Sequence, residues 1–152
     1  MTQNDRSARS KEAYTIQSEE LVEPVMTGED WQDFRRGVEL FNKGEFWASH
    51  EAWELIWKRH FEPSRIFFQG LIQLAASHHQ LQRGIYHGVV KHYNNSYLKL
   101  AQFPDVFLGV DSGAIKDGIR AGLDEAERVG EGGLAEFNQA LVVRIVPHPH
   151  RG

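Results

Sequence analysis

The sequence concentrates its unusual polar residues in one short stretch, residues 49–57. His50 and Glu54 are four residues apart, so on a helix they lie one turn apart on the same side. They border the face that carries Trp53 and Trp57, which predicts a semi-buried imidazole and carboxylate. Such a pair can fix a histidine tautomer, bind a divalent metal or move a proton.

A metal ion at this pair would need further ligands. The pattern differs from the His-Glu-x-x-His zinc motif because Glu54 stands where that motif has its second histidine. His78 is the best additional ligand, since an antiparallel hairpin would bring its helix beside the helix of His50; His79 is the substitute. The sequence therefore predicts a candidate metal site at His50, Glu54 and His78, with a divalent metal as the candidate cofactor.

Three interpretations of the His50–Glu54 pair remain open from the sequence. It can be a buried polar link that fixes the register of two helices, a site for a small ligand or metal, or an acid–base pair with Glu51 as a second carboxylate. Gln69, Gln73 and Gln80 share a stripe of the following helix, and their amides can bond to a ligand or to a neighbouring helix.

Two linked motifs carry a family resemblance: His50-Glu51-x-x-Glu54-x-x-Trp57, and the apolar string from Phe67 to Ala75. Together they resemble the bacterial and archaeal family catalogued as domain of unknown function 309, over about Trp31 to Leu100. The resemblance implies a small all-helical bundle and no established reaction. Its signature residues here are His50, Glu51, Glu54, Trp57, Gln69, Gly70, Gln73 and Gly84. Ile85 departs from the family, which often has asparagine there.

The signature residues that could face a ligand are the polar and aromatic ones. We therefore expect the ligand-binding set to be His50, Glu51, Glu54, Trp57, Gln69 and Gln73.

Apolar residues recur at spacings of three and four along most of the chain, which predicts helices. We expect an all-α fold, a compact bundle of about five to six helices with tetratricopeptide-like helical hairpins. Asp30 is the expected N-cap of the first helix and Asp111 or Ser112 that of the fifth. The predicted helices span about residues 31–43, 45–60, 64–83, 86–103, 114–129 and 134–141.

A short internal sequence repeat supports the predicted helical hairpins. Gly44, Phe46, Ala48, Trp53 and Trp57 are each followed 40 residues later by a similar residue, at positions 84, 86, 88, 93 and 97. Each copy places a helix-breaking glycine before an aromatic residue and then two aromatics one turn apart, as in stacked helix pairs. We expect an N-terminal arm over 1–28, a helical bundle domain over 29–141 and an extended C-terminal tail over 142–152.

The amino-acid composition of the chain bears on which classes of function are expected. The chain has 152 residues, a formal net charge of −4 and no cysteine, so the sequence predicts no nucleic-acid partner, no thiolate metal site and no disulfide. No apolar run reaches the ~20 residues of a spanning helix, and the polar start lacks the apolar core of a secretory signal, which predicts a cytoplasmic protein without membrane contact.

The aromatic content bears on the kind of function. Four Trp, four Tyr and nine Phe exceed the needs of a small core. We expect a binding or protein-interaction module, with a homo-oligomer or protein partner. The alternative is a metal-assisted or acid–base enzyme that acts on a small molecule through His50 and Glu54.

Overall fold

The computed structural model describes residues 15–147 of the chain. In that range the elements are α1 (Gly28–Asn42), α2 (Phe46–Arg59), α3 (Ile66–Arg83), α4 (Tyr86–Leu100), β1 (Val106–Phe107), β2 (Val110–Asp111) and α5 (Ser112–Val129). Single 3-10 turns lie at Ser18–Glu20, Pro63–Arg65, Leu134–Glu136 and Gln139–Leu141. The prediction of a compact, all-helical bundle is confirmed. The likeness to tetratricopeptide hairpins stays a prediction.

The start of α1 differs from the prediction. Thr27 is the N-cap: its hydroxyl accepts from the Asp30 backbone N–H at 3.0 Å, and the Asp30 carboxylate accepts from the Thr27 backbone N–H at 3.0 Å. Asp30 is therefore the third helical residue of a capping box, and its assignment as the N-cap was wrong. At α5 the cap is Asp111, whose side chain accepts from the Ala114 N–H.

Consecutive helices run antiparallel and approach closely at small residues. The Ser49 hydroxyl of α2 donates to the Gly37 carbonyl of α1 at 2.8 Å, and the Ser96 hydroxyl of α4 donates to the Gly70 carbonyl of α3 at 2.7 Å. A Cβ added to Gly70 would stand 2.6 Å from a Leu100 methyl group. Small side chains thus let neighbouring backbones come near enough for hydroxyls to bond to helix carbonyls.

The internal sequence repeat corresponds to two helical hairpins, α1–α2 and α3–α4. Trp53 and Tyr93 are both fully buried. Trp57 and Tyr97 are both half-buried beneath an arginine, with the Arg65 guanidinium 3.9 Å from the Trp57 ring centre and that of Arg120 5.1 Å from the ring centre of Tyr97. The repeated aromatic residues therefore occupy equivalent positions in the two hairpins.

The region after α4 departs most from the prediction. Helix α4 ends at Leu100, and a two-residue antiparallel ladder follows, pairing Val106 with Asp111 and Phe107 with Val110. Strands this short contain too few residues to show alternation in the sequence. Residues 134–141 form two 3-10 turns instead of one helix, because Asn138 breaks the segment: its side chain accepts from the Ala140 N–H and its own N–H donates to Glu125.

Both ends of the described range contact the bundle. The Ile16 N–H donates to the Gln102 side chain at 2.7 Å, and the Glu23 carboxylate accepts from the Leu108 N–H at 2.7 Å. Near the other end, the Asn42 side-chain amide bonds to both the N–H and the carbonyl of Ile145, which is buried. Residues 1–14 of the predicted arm and 148–152 of the predicted tail lie outside the described residues.

Within residues 15–147, no helix is both long enough and apolar enough to cross a membrane.

Candidate functional site

Helix α3 lies between α2 and α4 and is buried on every side but one. Its half-buried residues are Gln69, Gln73, Ala76, His79 and Gln80. Their spacing of three and four residues places them on one stripe, open to solvent between the two flanking helices. We call this stripe and its two walls the α3 groove. The stripe is the polar side of α3, and the other sides of this helix pack in the core.

Helix α2 supplies the His50 wall of the groove. The His50 ring stacks on the Trp47 indole with their centres 4.8 Å apart, and Trp47 also contacts His79 of α3 with a ring separation of 5.4 Å. The His50 Nε2 atom lies 3.3 Å from Glu54 Oε1, with side-chain exposures of 15% for His50 and 37% for Glu54. Because Glu54 is partly hydrated, water screens its interaction with the His50 ring.

Burial lowers the pKa of His50 below its ordinary value of 6.5, although Glu54 and Glu51 act in the opposite direction. The ring is therefore neutral at pH 7 and carries one N–H. Since Glu54 can only accept, the favoured tautomer has its proton on Nε2, facing that carboxylate. Its Nδ1 atom is then a bare lone pair, and it has no hydrogen-bond partner among the described residues.

Helix α4 forms the opposite wall. His92 is near enough to His50 for the two rings to interact electrostatically, and burial lowers the pKa of His92 as well. Gln80 of α3 packs against Gly88, where a side chain would collide with the Gln80 chain at 2.7 Å. Further along, the buried Lys99 ammonium donates to Gln73 Oε1 at 2.8 Å, and burial lowers the pKa of that lysine.

Three buried polar atoms on the three helices of the groove have no hydrogen-bond partner in residues 15–147: His50 Nδ1, Gln80 Oε1 and His92 Nδ1. Buried polar atoms in proteins are nearly always bonded, because an unmade bond costs about 1–3 kcal/mol. Helices α2, α3 and α4 therefore each contribute one polar atom that the chain itself does not satisfy.

The predicted ligand-binding residues divide between the groove and its surroundings. His50, Gln69 and Gln73 lie along the groove, and Glu54 beside His50 on α2. Trp57 is at the far end of α2, half-buried beneath Arg65. Glu51 is exposed and points to another cleft, between α1 and α2.

The predicted metal ligands are not assembled. His78 is fully buried, with its ring against Phe41 and Phe46 and its Nε2 atom 3.0 Å from the Tyr93 hydroxyl. Across residues 15–147 no three histidine, aspartate or glutamate side chains are placed to hold a metal ion together. His50, Glu54 and His78 thus do not form a ligand set in this structure, since the aromatic core surrounds the third of them.

Sequence reasoning missed three residues of the groove: Trp47, His92 and Lys99. Trp47 reads as one more apolar residue of α2, and Lys99 as an ordinary surface lysine. One feature of the sequence could have identified His92. It adjoins the buried Tyr93 and precedes the buried Ser96 by four residues, so helical spacing places it at the edge of a buried face.

A second polar cluster joins the start of α1 to the end of α2. The buried Asp30 carboxylate accepts from Arg59 Nε at 2.8 Å and contacts His60 Nε2 at 2.8 Å, while His60 Nδ1 lies 2.7 Å from Glu62. Burial would raise the pKa of Asp30, but bonds from the Thr27 N–H, His60 and Arg59 outweigh it and lower that pKa to about 2. Every polar atom named here has a partner, as expected of a structural clamp.

The fold and groove define a small all-α domain with a polar, three-helix surface. Residues 34–92 match the family model described as "Domain of unknown function (DUF309)". The resemblance inferred from the sequence is confirmed over that span, which contains His50, Glu54, Gln73 and His92. No curated protein matches the chain.

Proposed function

We propose that this chain is a binding module that holds a small, hydrogen-bond-donating ligand in the α3 groove. The observation that carries the proposal is the presence of unpartnered buried atoms on all three helices of one groove, His50 Nδ1, Gln80 Oε1 and His92 Nδ1. A ligand that bonds to these atoms recovers the free energy that the unliganded chain leaves unused.

The chemistry of the unpartnered atoms indicates the ligand class. His50 Nδ1 is an acceptor because its ring proton faces Glu54, and Gln80 Oε1 is an acceptor by nature. The carboxylates of Glu54 and Glu51 act on the His50 ring. Two acceptors, one of them beside the Glu54 carboxylate, favour a ligand rich in N–H groups, such as an amide, an amidine or an amine.

A protein partner or homo-oligomer stays a prediction with less support. Among residues 15–147, the exposed aromatic rings are those of Trp47 and Phe61, 52% and 85% exposed. Trp47 is the second residue of α2 and Phe61 lies two residues beyond the end of that helix, so the length of α2 separates them. These two exposed rings therefore do not form one aromatic patch.

Acid–base catalysis is the second candidate. The specific observation in its favour is the neutral His50 ring with a carboxylate at Nε2, which leaves Nδ1 free to accept a proton from a bound molecule. Binding must precede such a step, so the binding test comes first for both candidates.

The test compares His50→Phe with His87→Phe, using benzamidine and benzamide as N–H donors and benzoate as an anion of similar size. His87 is a matched control: it also contacts a carboxylate, Glu131 at 3.1 Å, but is 80% exposed. We expect both donors to perturb the His50 and His92 NMR signals of the wild type. His50→Phe should weaken their binding at least tenfold, and His87→Phe should leave it unchanged.

Stability measurements on the same variants separate a site from a structural link. Phenylalanine keeps a ring against Trp47 and removes the unsatisfied Nδ1, while Glu54 stays hydrated, so we expect His50→Phe to unfold within about 1 kcal/mol of the wild type. A loss well above that figure, or donor binding that survives the substitution, would show that the pair is a structural link and the groove is not the site.

A further inference from the structure

A second cavity lies outside the α3 groove, where three parts of the chain meet. It is a cleft of about 440 Å³ between the α1–α2 turn, the last turns of α3 and the segment 139–144. Asn42 fixes this last wall through its two bonds to Ile145, at 2.9 Å each. The cleft is therefore built by elements held in place, although its walls are up to a hundred residues apart in the sequence.

The inner part of the cleft is aromatic and contains one unpartnered polar group. Phe41 and Phe46 line it together with His78, and their ring centres lie 5.1 Å and 4.8 Å from that of His78. His78 is 0% exposed, its Nε2 atom is bound to the Tyr93 hydroxyl, and its Nδ1 atom has no partner among the described residues. A core histidine with one nitrogen unsatisfied, on the wall of a cavity, points to a group that enters that cavity.

The outer part of the cleft is basic. Among residues 15–147 its lining includes Lys43 and Arg144 and no acidic residue, in a chain whose formal net charge is −4. Arg144 also donates to the Asn42 carbonyl at 3.3 Å, which holds its guanidinium at the rim. Between this rim and His78 the wall is mainly apolar, with Leu81 and Val143.

We propose that this cleft is a binding site for an amphipathic organic carboxylate, distinct from the ligand of the α3 groove. The carboxylate pairs with Lys43 and Arg144, the apolar body lies against Phe46 and Val143, and a polar atom of the body reaches His78. The aromatic walls exclude a bare inorganic anion from the inner part, and the two cations disfavour the cationic donors that suit the groove.

The probe is 3-(4-hydroxyphenyl)propionate, whose phenol supplies the polar atom of the body, with 4-(3-hydroxypropyl)phenol as its uncharged counterpart. We expect the acid to shift the NMR signals of Phe41, Phe46 and His78 in the full chain, and to bind at least tenfold more tightly than the alcohol. The double variant Lys43→Gln, Arg144→Gln should lose at least tenfold in affinity for the acid. Both side chains are exposed on the rim, so we expect the variant to keep its fold.

A matched control has the same change of charge elsewhere on the surface: Lys58→Gln, Lys91→Gln, two exposed lysines outside the lining of this cleft. It should bind the acid as the wild type does. An equal loss in the two double variants, equal binding of acid and alcohol, or unshifted signals at Phe41, Phe46 and His78 at millimolar acid would each overturn the proposal. The α3 groove is tested with different compounds, benzamidine and benzamide. A failed prediction at one site therefore does not affect the interpretation of the result at the other site.

Discussion

Replacing Trp53 by alanine is expected to lower the free energy of unfolding by about 3–5 kcal/mol, the usual range for removing a fully buried large ring. Trp53 is 0% exposed, its ring centre lies 5.7 Å from that of Phe41, and its indole N–H donates to the Phe34 carbonyl at 3.3 Å. The substitution would leave a cavity between α1 and α2 and remove the additional hydrogen bond to the Phe34 carbonyl. Urea unfolding followed by helical circular dichroism measures the loss.

Trp57 is the matched control, because it is the same residue type one turn later on the same helix. It is half-buried at the edge of the core, where the Arg65 guanidinium covers it. Trp57→Ala should cost about 1–2 kcal/mol, since less apolar area returns to water and the site can fill with solvent. Equal losses in the two variants would contradict the assignment of Trp53 to the core and Trp57 to its edge.

Asp30→Ala is expected to cost about 3–5 kcal/mol at pH 7, the range for removing one partner of a buried ionic cluster. The substitution takes away the acceptor of Arg59 and His60 and one half of the capping box with Thr27. Asp33→Ala is the control, because Asp33 bonds to Arg59 alone and is more exposed; it should cost about 1 kcal/mol or less.

The same carboxylate predicts how stability depends on pH. The pKa of Asp30 is about 2 in the folded chain against an ordinary value of 3.8, so the folded state favours the ionised form. Its contribution, about 2 kcal/mol from that difference, is complete above roughly pH 5 and is lost as the pH falls through 2. Chemical unfolding of the wild type and of Asp30→Asn between pH 6 and pH 2 should therefore converge at the acid end. If the difference in unfolding free energy between the two proteins stayed constant over this pH range, the result would contradict a stabilising role for the ionised Asp30 carboxylate.

The sequence predicted well those features that depend on the period of one segment. The nearly all-round apolar character of α3 is typical of a central helix, and Leu71 on that helix is fully buried, whereas Trp57 on the inward stripe of α2 is only half-buried. The glycines at 44 and 84 marked two turns correctly, because both adopt positive φ, +83° and +73°, where glycine is unstrained.

Features that depend on which elements become neighbours could not be predicted in this way. Helical spacing placed His78 on an inward stripe but could not tell that Phe41, Phe46 and Tyr93 would surround it. Asp30 resembled an ordinary helix cap, since its partners Arg59 and His60 are about thirty residues away. His92 joins the groove only because α4 packs beside α3, and no local pattern records that packing.

The most direct test of the central claim is the nitrogen chemical shifts of the His50 ring, measured by ¹⁵N NMR at pH 7 with and without benzamidine. The α3 groove predicts a neutral ring that carries its proton on Nε2, toward Glu54, and a bare Nδ1 whose shift moves when the donor binds. An imidazolium at pH 7, a proton on Nδ1, or an Nδ1 signal indifferent to benzamidine at millimolar concentration would contradict the account.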